Sequence, residues 1–154
     1  MIFREANIND IKEIQRVRNT VTENRLSNPA LVSDNDVREF ILNRGRGWVC
    51  EVDDKIAGFA IVDLEENNVW ALFVEPGFDQ KGIGKKLLQL MLDWYFDQTD
   101  KTVWLSTAPN SRAETFYRLN GWKETGRHGK GEIKFEMDSI GWRTYQLKSS
   151  SFKI

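Results

Sequence analysis

The stretch VWALFVEPGFDQKGIGKKLL, residues 69–88, joins a predicted strand to a predicted helix through a loop that contains glycine. Its first six residues are mostly branched or aromatic, which favours a buried strand. Pro76 ends the strand, and after Gly82 and Gly84 the apolar residues recur at helical spacing. The first N–H groups of a helix lack intrahelical partners. The stretch therefore predicts a site for an anionic group such as a phosphate.

The composition limits the class of protein around this stretch. The chain has 154 residues, of which 40% are apolar, so we expect one domain over residues 1–154 with a core of its own. A net charge of −1 argues against nucleic acid as a partner. No segment resembles a secretion signal or reaches the roughly 18 apolar residues of a membrane helix. The single cysteine, Cys50, fits a reducing compartment, and we expect a cytoplasmic protein without a membrane partner.

Two helices and three short strands are predicted before residue 69. After an edge strand at residues 2–4, Asn9 or Asp10 caps a first helix. Ser33 and Asp36 have the spacing of a capping box and begin the second helix. The first helix carries Ile11, Ile14, Val17, Arg18 and Val21, with its apolar side chains on one face. The next strands form an antiparallel series with tight turns: residues 48–52, 55–64 and 69–74.

A helix, a strand and a second helix are predicted after Gly84. The first helix is apolar on two stripes, which is typical of a mostly buried helix. Because this helix crosses over, the strand at residues 102–107 is expected to lie parallel to the strand at residues 69–74. Pro109 and Ser111 introduce the second helix, and two further strands follow it. These elements are predicted at residues 112–120, 122–126 and 132–137, with Gly121 closing the helix.

Helix 112–120 carries a polar and aromatic face of its own. At 100° per residue, Asn110, Ala113 and Tyr117 fall on one side. Phe116 and Leu119 fall on the other side, which we expect to face the core. The helix alone leaves two interpretations of Tyr117 open, a catalytic phenol and an amphipathic core residue.

Taken together and in order, the two segments resemble the GNAT family of acetyl-CoA-dependent N-acetyltransferases. The family's cofactor loop, Arg or Gln-x-x-Gly-x-Gly or Ala, is matched by Gly82 and Gly84, with Asp79 in place of Arg or Gln. Its second signature, Asn-x-x-Ala-x-x-Phe or Leu-Tyr-x-x-x-Gly-Phe, is matched by Asn110, Ala113, Phe116, Tyr117, Gly121 and Trp122. The resemblance covers nearly the whole chain. It implies an α/β (α+β) fold with a mixed, mainly antiparallel sheet of about seven strands, helices on both faces, and a splayed strand pair that holds acetyl-CoA.

The resemblance implies an enzyme that moves an acetyl group from acetyl-CoA to a primary amine by direct attack in a ternary complex. We expect the amine to belong to a small molecule. A peptide or protein amine is the alternative, and a non-catalytic acyl-CoA-binding sensor module is another. By resemblance, Tyr117 protonates the departing thiolate and the Val74 N–H binds the oxyanion. Glu75 is a candidate general base, as are Glu23, Glu65 and Glu66.

The resemblance also implies which residues hold the cofactor. Pantetheine bonds to the backbone around Phe73 and Val74, and the pyrophosphate binds the loop and the start of the helix. The Asp79 carboxylate costs electrostatic energy near phosphates unless it turns away, and Lys81, Lys85 and Lys86 can compensate. The expected cofactor-binding residues are Phe73, Val74, Asp79, Gln80, Lys81, Gly82, Ile83, Gly84, Lys85, Asn110, Arg112, Ala113 and Tyr117.

Other segments are expected to bind the acceptor or a second subunit. We expect residues 21–33 and the hairpin around His128 to shape the acceptor site, with Glu23 and Trp70 as candidate contacts. His128 has no metal-ligating cluster around it in the sequence, so no metal is expected. The C-terminal extension, residues 139–154, carries Ile140, Trp142, Tyr145, Leu147 and Phe152. This apolar tail is expected to dock as an edge strand, over the acceptor site, or against a second subunit in a homodimer.

Overall fold

The strands and helices of the fold divide into two units along the chain, Met1–Tyr95 and Phe96–Ile154. The computed structural model of the protein describes residues 1–21 and 32–151. Within these residues it contains seven strands, mostly antiparallel, and five α-helices, so the predicted α/β fold class is confirmed.

The first unit is an antiparallel sheet of four strands, in the order β1-β2-β3-β4, with its helices. A 3-10 turn precedes the first helix, and a π-helical turn follows the second. The elements are β1 (Ile2–Glu5), α1 (Ile11–Thr20), α2 (Asp34–Glu39), β2 (Gly45–Val52), β3 (Lys55–Asp63), β4 (Asn68–Val74) and most of α3 (Ile83–Gln98). The predicted helices and strands of this part are confirmed, with ends that differ by a few residues.

The start of α3 packs against the sheet where β3 and β4 pair. Gly58 lies opposite Val74 in the register of these strands. A Cβ added to Gly58 would lie 3.1 Å from Ile83 Cγ2, so the missing side chain lets the helix approach closely. Ile83 and Leu87 are fully buried there. This contact places the first turn of α3 near the C-terminal end of β4.

A β-bulge interrupts the pairing of β3 and β4. Ile61 lies opposite Ala71 and Val62 lies opposite Val69, so Trp70 is the extra residue in β4. A bulge re-aims the side chain of its extra residue relative to a regular strand. Trp70 accordingly packs with Phe73 against the core cluster that α1 and α2 share with the sheet.

The second unit is built on three antiparallel strands, with β7 paired to both β5 and β6. Alternate residues of β7, namely Ile133, Phe135 and Met137, are buried, whereas β6 is exposed along its length. The elements are β5 (Val103–Thr107), α4 (Arg112–Leu119), β6 (Lys123–His128), β7 (Glu132–Met137) and α5 (Ser139–Ser151).

The C-terminal extension is a helix, α5, so the expected edge strand is wrong. Trp142 is buried, and the Tyr145 hydroxyl donates to Asn120 Oδ1 over 2.9 Å. The Tyr145 ring also covers Gly121, where an added Cβ would lie 3.0 Å from Tyr145 Cδ2. Gly121 has a φ of +84°, which favours glycine and ends α4. Helix α5 therefore secures the C-terminal end of α4.

The expected orientation of α4 is wrong for Leu119. Tyr117 is 6% exposed and Leu119 is 74% exposed, although Leu119 was expected in the core. Two residues span 200° of a helix, so once Tyr117 packs inward Leu119 must face solvent. The Tyr117 ring contacts Trp122 and Phe135, with centroid distances of 5.5 and 6.1 Å, and this aromatic cluster sets the orientation.

Asn7 caps the 3-10 turn at Ile8–Asp10, and Asp10 occupies the predicted N-cap position of α1 without a capping hydrogen bond from its side chain to that helix. Asn7 Oδ1 accepts from the Asn9 N–H, and Asp10 Oδ2 accepts from the Asn7 N–H, over 2.9 and 2.8 Å. The buried Asp10 carboxylate also accepts two bonds from Arg4, each 2.8 Å long. Burial opposes ionisation, but the bonds from Arg4 and Asn7 outweigh it and lower the pKa of Asp10.

We expect Asp10→Asn to lower the free energy of unfolding by about 1–2 kcal/mol at pH 7, because a charged hydrogen-bond acceptor is lost. Since the folded protein holds the pKa of Asp10 below its ordinary value, this contribution is present above pH about 4 and is lost as the pH falls further. Urea unfolding at pH 7 and at pH 3 measures the effect. The difference between variant and native protein should shrink at pH 3.

Glu51→Gln is the matched control for Asp10→Asn. Glu51 is the other carboxylate bonded to Arg4, at 2.9 Å, and it is more exposed than Asp10. We expect a loss below about 1 kcal/mol, as for an exposed ion pair. Equal losses in the two variants at pH 7 would contradict the special contribution of Asp10.

Candidate active site

The C-terminal end of β4 directs one backbone donor away from its neighbour β3. The Glu75 N–H donates to Ala57 O over 2.8 Å, on the side of β3. Successive N–H groups of a strand point to opposite sides, so the Val74 N–H points away from β3. The Val74 N–H, which is the predicted oxyanion donor, therefore points toward the outer edge of the four-stranded sheet.

The Glu75 carboxylate belongs to an ion-pair network with α1. Arg16 Nη1 donates to it over 2.7 Å, and Arg16 Nη2 donates to Ile56 O over 2.9 Å. Arg16 also pairs with Glu13 at 2.7 Å. The network ties the segment that follows Val74 to α1.

The structure does not bring Glu65 or Glu66, two of the other candidate bases, to Val74. Glu65 and Glu66 lie at the turn before β4. Because β4 is seven residues long, these two residues are about 20 Å from its C-terminal end at Val74. Glu65 is exposed, with its carboxylate 3.6 Å from Arg44 Nε. Glu23 and residues 22–31 of the predicted acceptor segment lie outside the described residues.

The loop after Pro76 holds the Asp79 carboxylate by a bond to its own backbone. Asp79 Oδ1 accepts from the Gly77 N–H over 3.0 Å. The Phe78 N–H donates to Glu75 O over 3.0 Å and closes the turn. One oxygen of Asp79 is therefore occupied within the loop, which reduces the electrostatic cost expected of an aspartate at this position.

The start of α3 has room for a ligand at Gly82. The φ of Gly82 is +80°, and an added Cβ would meet no described atom within 4 Å. Helix α3 begins at Ile83, and the Lys86 N–H donates to Gly82 O over 3.0 Å. The N–H groups of this first turn have no acceptor within the helix. Together with the exposed Lys81 and Lys85, they fit an anionic group such as a pyrophosphate.

Tyr117 lies in an aromatic environment in the second unit. Its ring packs edge-on against Phe116 and Trp122, with centroids 5.2 and 5.5 Å away. Burial raises the pKa of Tyr117 above its ordinary value, so the phenol stays protonated at neutral pH. No hydrogen bond joins its hydroxyl to another residue within the described ranges. The hydroxyl is thus a donor without a protein acceptor in this part of the chain.

The N-terminus of α4 fixes the rest of the second signature. Ser111 caps the helix by accepting from the Glu114 N–H over 3.2 Å. The Asn110 N–H donates to Glu114 Oε1 over 2.7 Å, and Asn110 has a φ of +61°. Ala113 is half-buried and Arg112 is exposed. The predicted residues Asn110, Ala113 and Tyr117 therefore belong to one well-capped helix and its entry.

One candidate functional residue, Arg18 of α1, was not singled out from the sequence. Its guanidinium carbon lies 5.5 Å from the Trp70 ring centroid and 5.7 Å from that of Phe73. The signal in the sequence was an arginine on the apolar face of the predicted helix. Arg18 lies four residues after Ile14 and seven residues after Ile11.

Two features are absent from residues 1–21 and 32–151. They contain no group of three His, Cys, Asp or Glu residues placed to hold a metal ion. Within the same ranges, none of the helices combines the length and apolar character needed to cross a membrane. His128 instead lies against Trp104, with ring centroids 4.9 Å apart.

Known proteins resemble this chain in sequence. It is 31% identical over 93 residues to a [ribosomal protein bS18]-alanine N-acetyltransferase of Salmonella typhimurium, a match that covers 56% of this chain and 63% of that enzyme. The chain thus matches less than two thirds of that relative's length. It is 29% identical over 111 residues to a peptidyl-lysine N-acetyltransferase of Escherichia coli, covering 71% of this chain and 72% of the relative.

The fold has a close counterpart among solved structures. The PaiA N-acetyltransferase of Thermoplasma acidophilum, solved in complex with coenzyme A, superposes with a TM-score of 0.76 at 16% identity. The superposition covers 89% of this chain and 98% of that one. Residues 8–122, which include both signatures, match the model of the acetyltransferase (GNAT) family. The chain therefore belongs to the acetyltransferase (GNAT) family.

Proposed function

We propose that this protein is an N-acetyltransferase that moves the acetyl group of acetyl-CoA to a primary amine. The observation that carries the proposal is the segment from Val74 to Ile83. There, β4 ends with the Val74 N–H pointing away from β3. Helix α3 begins directly after Gly82, which has open space beside it. These are the donors that a thioester carbonyl and a pyrophosphate require. Membership of the acetyltransferase family supports the same reaction.

Bound acetyl-CoA supplies an acetyl group activated as a thioester. In the proposed reaction the amine nitrogen bonds to the carbonyl carbon, and the bond from carbon to sulfur breaks. The Val74 N–H donates to the carbonyl oxygen as negative charge develops on it. Tyr117 donates its proton to the departing sulfur, and its raised pKa means that the phenol is protonated at neutral pH before the reaction.

We propose Glu75 as the group that takes the proton from the amine. It is the residue next to Val74, and the bond from Arg16 holds its carboxylate in one position. Fixed geometry favours proton transfer, directly or through a water molecule. Glu65 and Glu66 are less suitable because they lie at the other end of β4.

The proposed cofactor contacts follow the two signatures. Gln80, Lys81, Gly82, Ile83, Gly84 and Lys85 are proposed to hold the phosphates, and Phe73 and Val74 the pantetheine. Asn110, Arg112, Ala113 and Tyr117, from the second signature, are proposed as further cofactor contacts. Asp79 is proposed to contribute backbone, since its carboxylate bonds within the loop.

The acceptor has two candidate classes. The sequence favoured a small-molecule amine. The relatives are named for a protein alanine and a peptidyl lysine, which favours a peptide or protein amine as the alternative. The small-molecule acceptor remains a prediction. Three other expectations also remain predictions: the single domain with residues 139–154 as its extension, the cytoplasmic location and the homodimer.

An acceptor screen tests the proposed function. Purified protein is incubated with acetyl-CoA and a panel of small amines, lysine-containing peptides and peptides with a free N-terminal alanine. Release of free coenzyme A thiol is followed. We expect at least one amine to raise the rate about tenfold or more above hydrolysis, with the acetylated amine found by mass spectrometry. Tight binding of acetyl-CoA without transfer to any amine would instead favour a sensor module.

A further inference from the structure

Arg18 lies on an aromatic surface formed by β4 and the turn after α2. Its guanidinium covers the rings of Trp70 and Phe73 at centroid distances of 5.5 and 5.7 Å. The Trp70 ring is stacked in turn on Phe40, with centroids 3.9 Å apart and planes 7° from parallel. This aromatic support fixes the plane of the guanidinium and removes much of its contact with water.

One guanidinium nitrogen of Arg18 has no acceptor among the described residues. Nη1 is buried and makes no hydrogen bond within the part of the chain that the structure describes. Burial lowers the pKa of Arg18, and Asp36 opposes this only through space. A buried donor on a cation is costly to leave unpaired. Other arginines of the same unit each form an ion pair with a carboxylate: Arg4, Arg16, Arg44 and Arg46.

The Arg18 guanidinium lies against the residue that precedes the proposed oxyanion donor. Phe73, which Arg18 covers, directly precedes Val74, whose N–H is the proposed oxyanion donor. Two residues before Arg18 on α1, Arg16 is bonded to Glu75, which directly follows Val74. Helix α1 therefore presents two arginines to β4 and the residue after it: Arg16, which is paired with Glu75, and Arg18, which forms no ion pair with a described residue.

We propose that Arg18 binds a carboxylate of the acceptor, with Trp70 and Phe73 contacting the acceptor's hydrocarbon portion. This assignment rests on the proposed acetyl transfer. A planar guanidinium matches a carboxylate through two parallel hydrogen bonds, and a charge-assisted bond is stronger still when water is displaced. The acceptor is thus an amine that also carries an acid, such as an amino acid or an acidic peptide.

Paired acceptors that differ only at the acid test this assignment. The probes are lysine against lysinamide and the dipeptide Ala-Glu against Ala-Gln. A site built for hydrogen bonding discriminates against an analogue that lacks the matching group. For native protein we expect kcat/KM to be about tenfold or more higher for the acid in at least one pair. In Arg18→Met this ratio should fall to about one, because KM for the acid rises. Turnover of the amide should stay nearly unchanged.

Two further variants make the test specific. Arg18→Lys keeps the charge without the planar fork, and we expect it to retain part of the preference for the acid. Arg46→Met is the matched control, because Arg46 is stacked on a tryptophan, Trp94, at 4.9 Å and lies outside the proposed site. We expect it to keep the native ratio. Circular dichroism and thermal unfolding establish that each variant is folded.

Three outcomes would overturn the assignment. The first is an acid-to-amide ratio that Arg18→Met leaves at its native value. The second is a loss of coenzyme A affinity in Arg18→Met, measured by calorimetric titration. This loss would indicate that Arg18 binds an anionic group of the cofactor and not a carboxylate of the acceptor. The third is equal turnover of acid and amide by native protein, which leaves the proposed acetyl transfer intact. If no amine in the wider screen is acetylated, the proposed function fails and the acceptor assignment fails with it.

Discussion

Replacing Tyr117 with phenylalanine is expected to lower kcat by about 100-fold while acetyl-CoA affinity stays within about twofold. Phenylalanine preserves the ring that packs against Trp122 and Phe135, so the aromatic cluster survives. Only the hydroxyl is lost, and with it the proposed proton donor for the departing thiolate. Steady-state kinetics between pH 6 and 9, with calorimetric titration of coenzyme A, separates the two quantities.

The pH dependence and a second tyrosine provide the controls. Because burial raises the pKa of Tyr117 above its ordinary value of about 10, native protein should show no loss of activity from this group up to pH 9. Tyr145→Phe removes a hydroxyl from the same unit, one that is bonded to Asn120, and should leave kcat unchanged. A Tyr117→Phe protein with native kcat across this pH range would rule out the general-acid role.

Gly82→Glu is expected to weaken binding of acetyl-CoA by more than about 100-fold. Two causes add. The φ of +80° is unfavourable for any residue with a side chain, and the carboxylate would occupy the open space where the helix donors are expected to meet phosphate. Calorimetric titration of coenzyme A measures the loss.

Two variants separate strain from charge at Gly82. Gly82→Gln introduces the same strain with almost the same volume and no charge, so it should retain more affinity than Gly82→Glu. Gly129→Glu places a carboxylate on another glycine with positive φ and open space, in the hairpin between β6 and β7, and should bind coenzyme A normally. Undiminished affinity in Gly82→Glu would show that the phosphates bind elsewhere.

The fold was largely predictable because its signals are local. The strand from Val69 to Val74, the capping box of Ser33 and Asp36, and the turns at the strand ends each depend on residues a few positions apart. Such patterns fix where an element begins and which period it follows. They do not fix which side of a helix meets the core. For α4 the aromatic cluster around Tyr117 decided that side, and its members come from α4, the turn after it and β7.

Part of the candidate site could be proposed from the sequence for the same reason. Gly82 and Tyr117 were identified from signatures of consecutive residues. Arg18 was not, because its significance depends on a bulge at Trp70 and on the ring of Phe73, more than 50 residues away in the chain. The partner of Glu75, Arg16 of α1, is equally distant in sequence. Contacts between distant residues carry no local pattern that a single sequence reveals.

The contact of Tyr145 with Gly121 has a consequence for how the protein folds as it is synthesised. Asn120, which follows the helix that carries Tyr117, accepts a hydrogen bond from a residue 25 positions later. At ribosomal rates of about 5–20 residues per second, those 25 residues take on the order of seconds. A nascent chain that ends before α5 contains both signatures but not the contacts that hold Tyr117's helix at its C-terminal end. We therefore expect the first unit to fold while the second is still being synthesised. Tyr117, the proposed acid, should reach its final environment only after the first unit has folded.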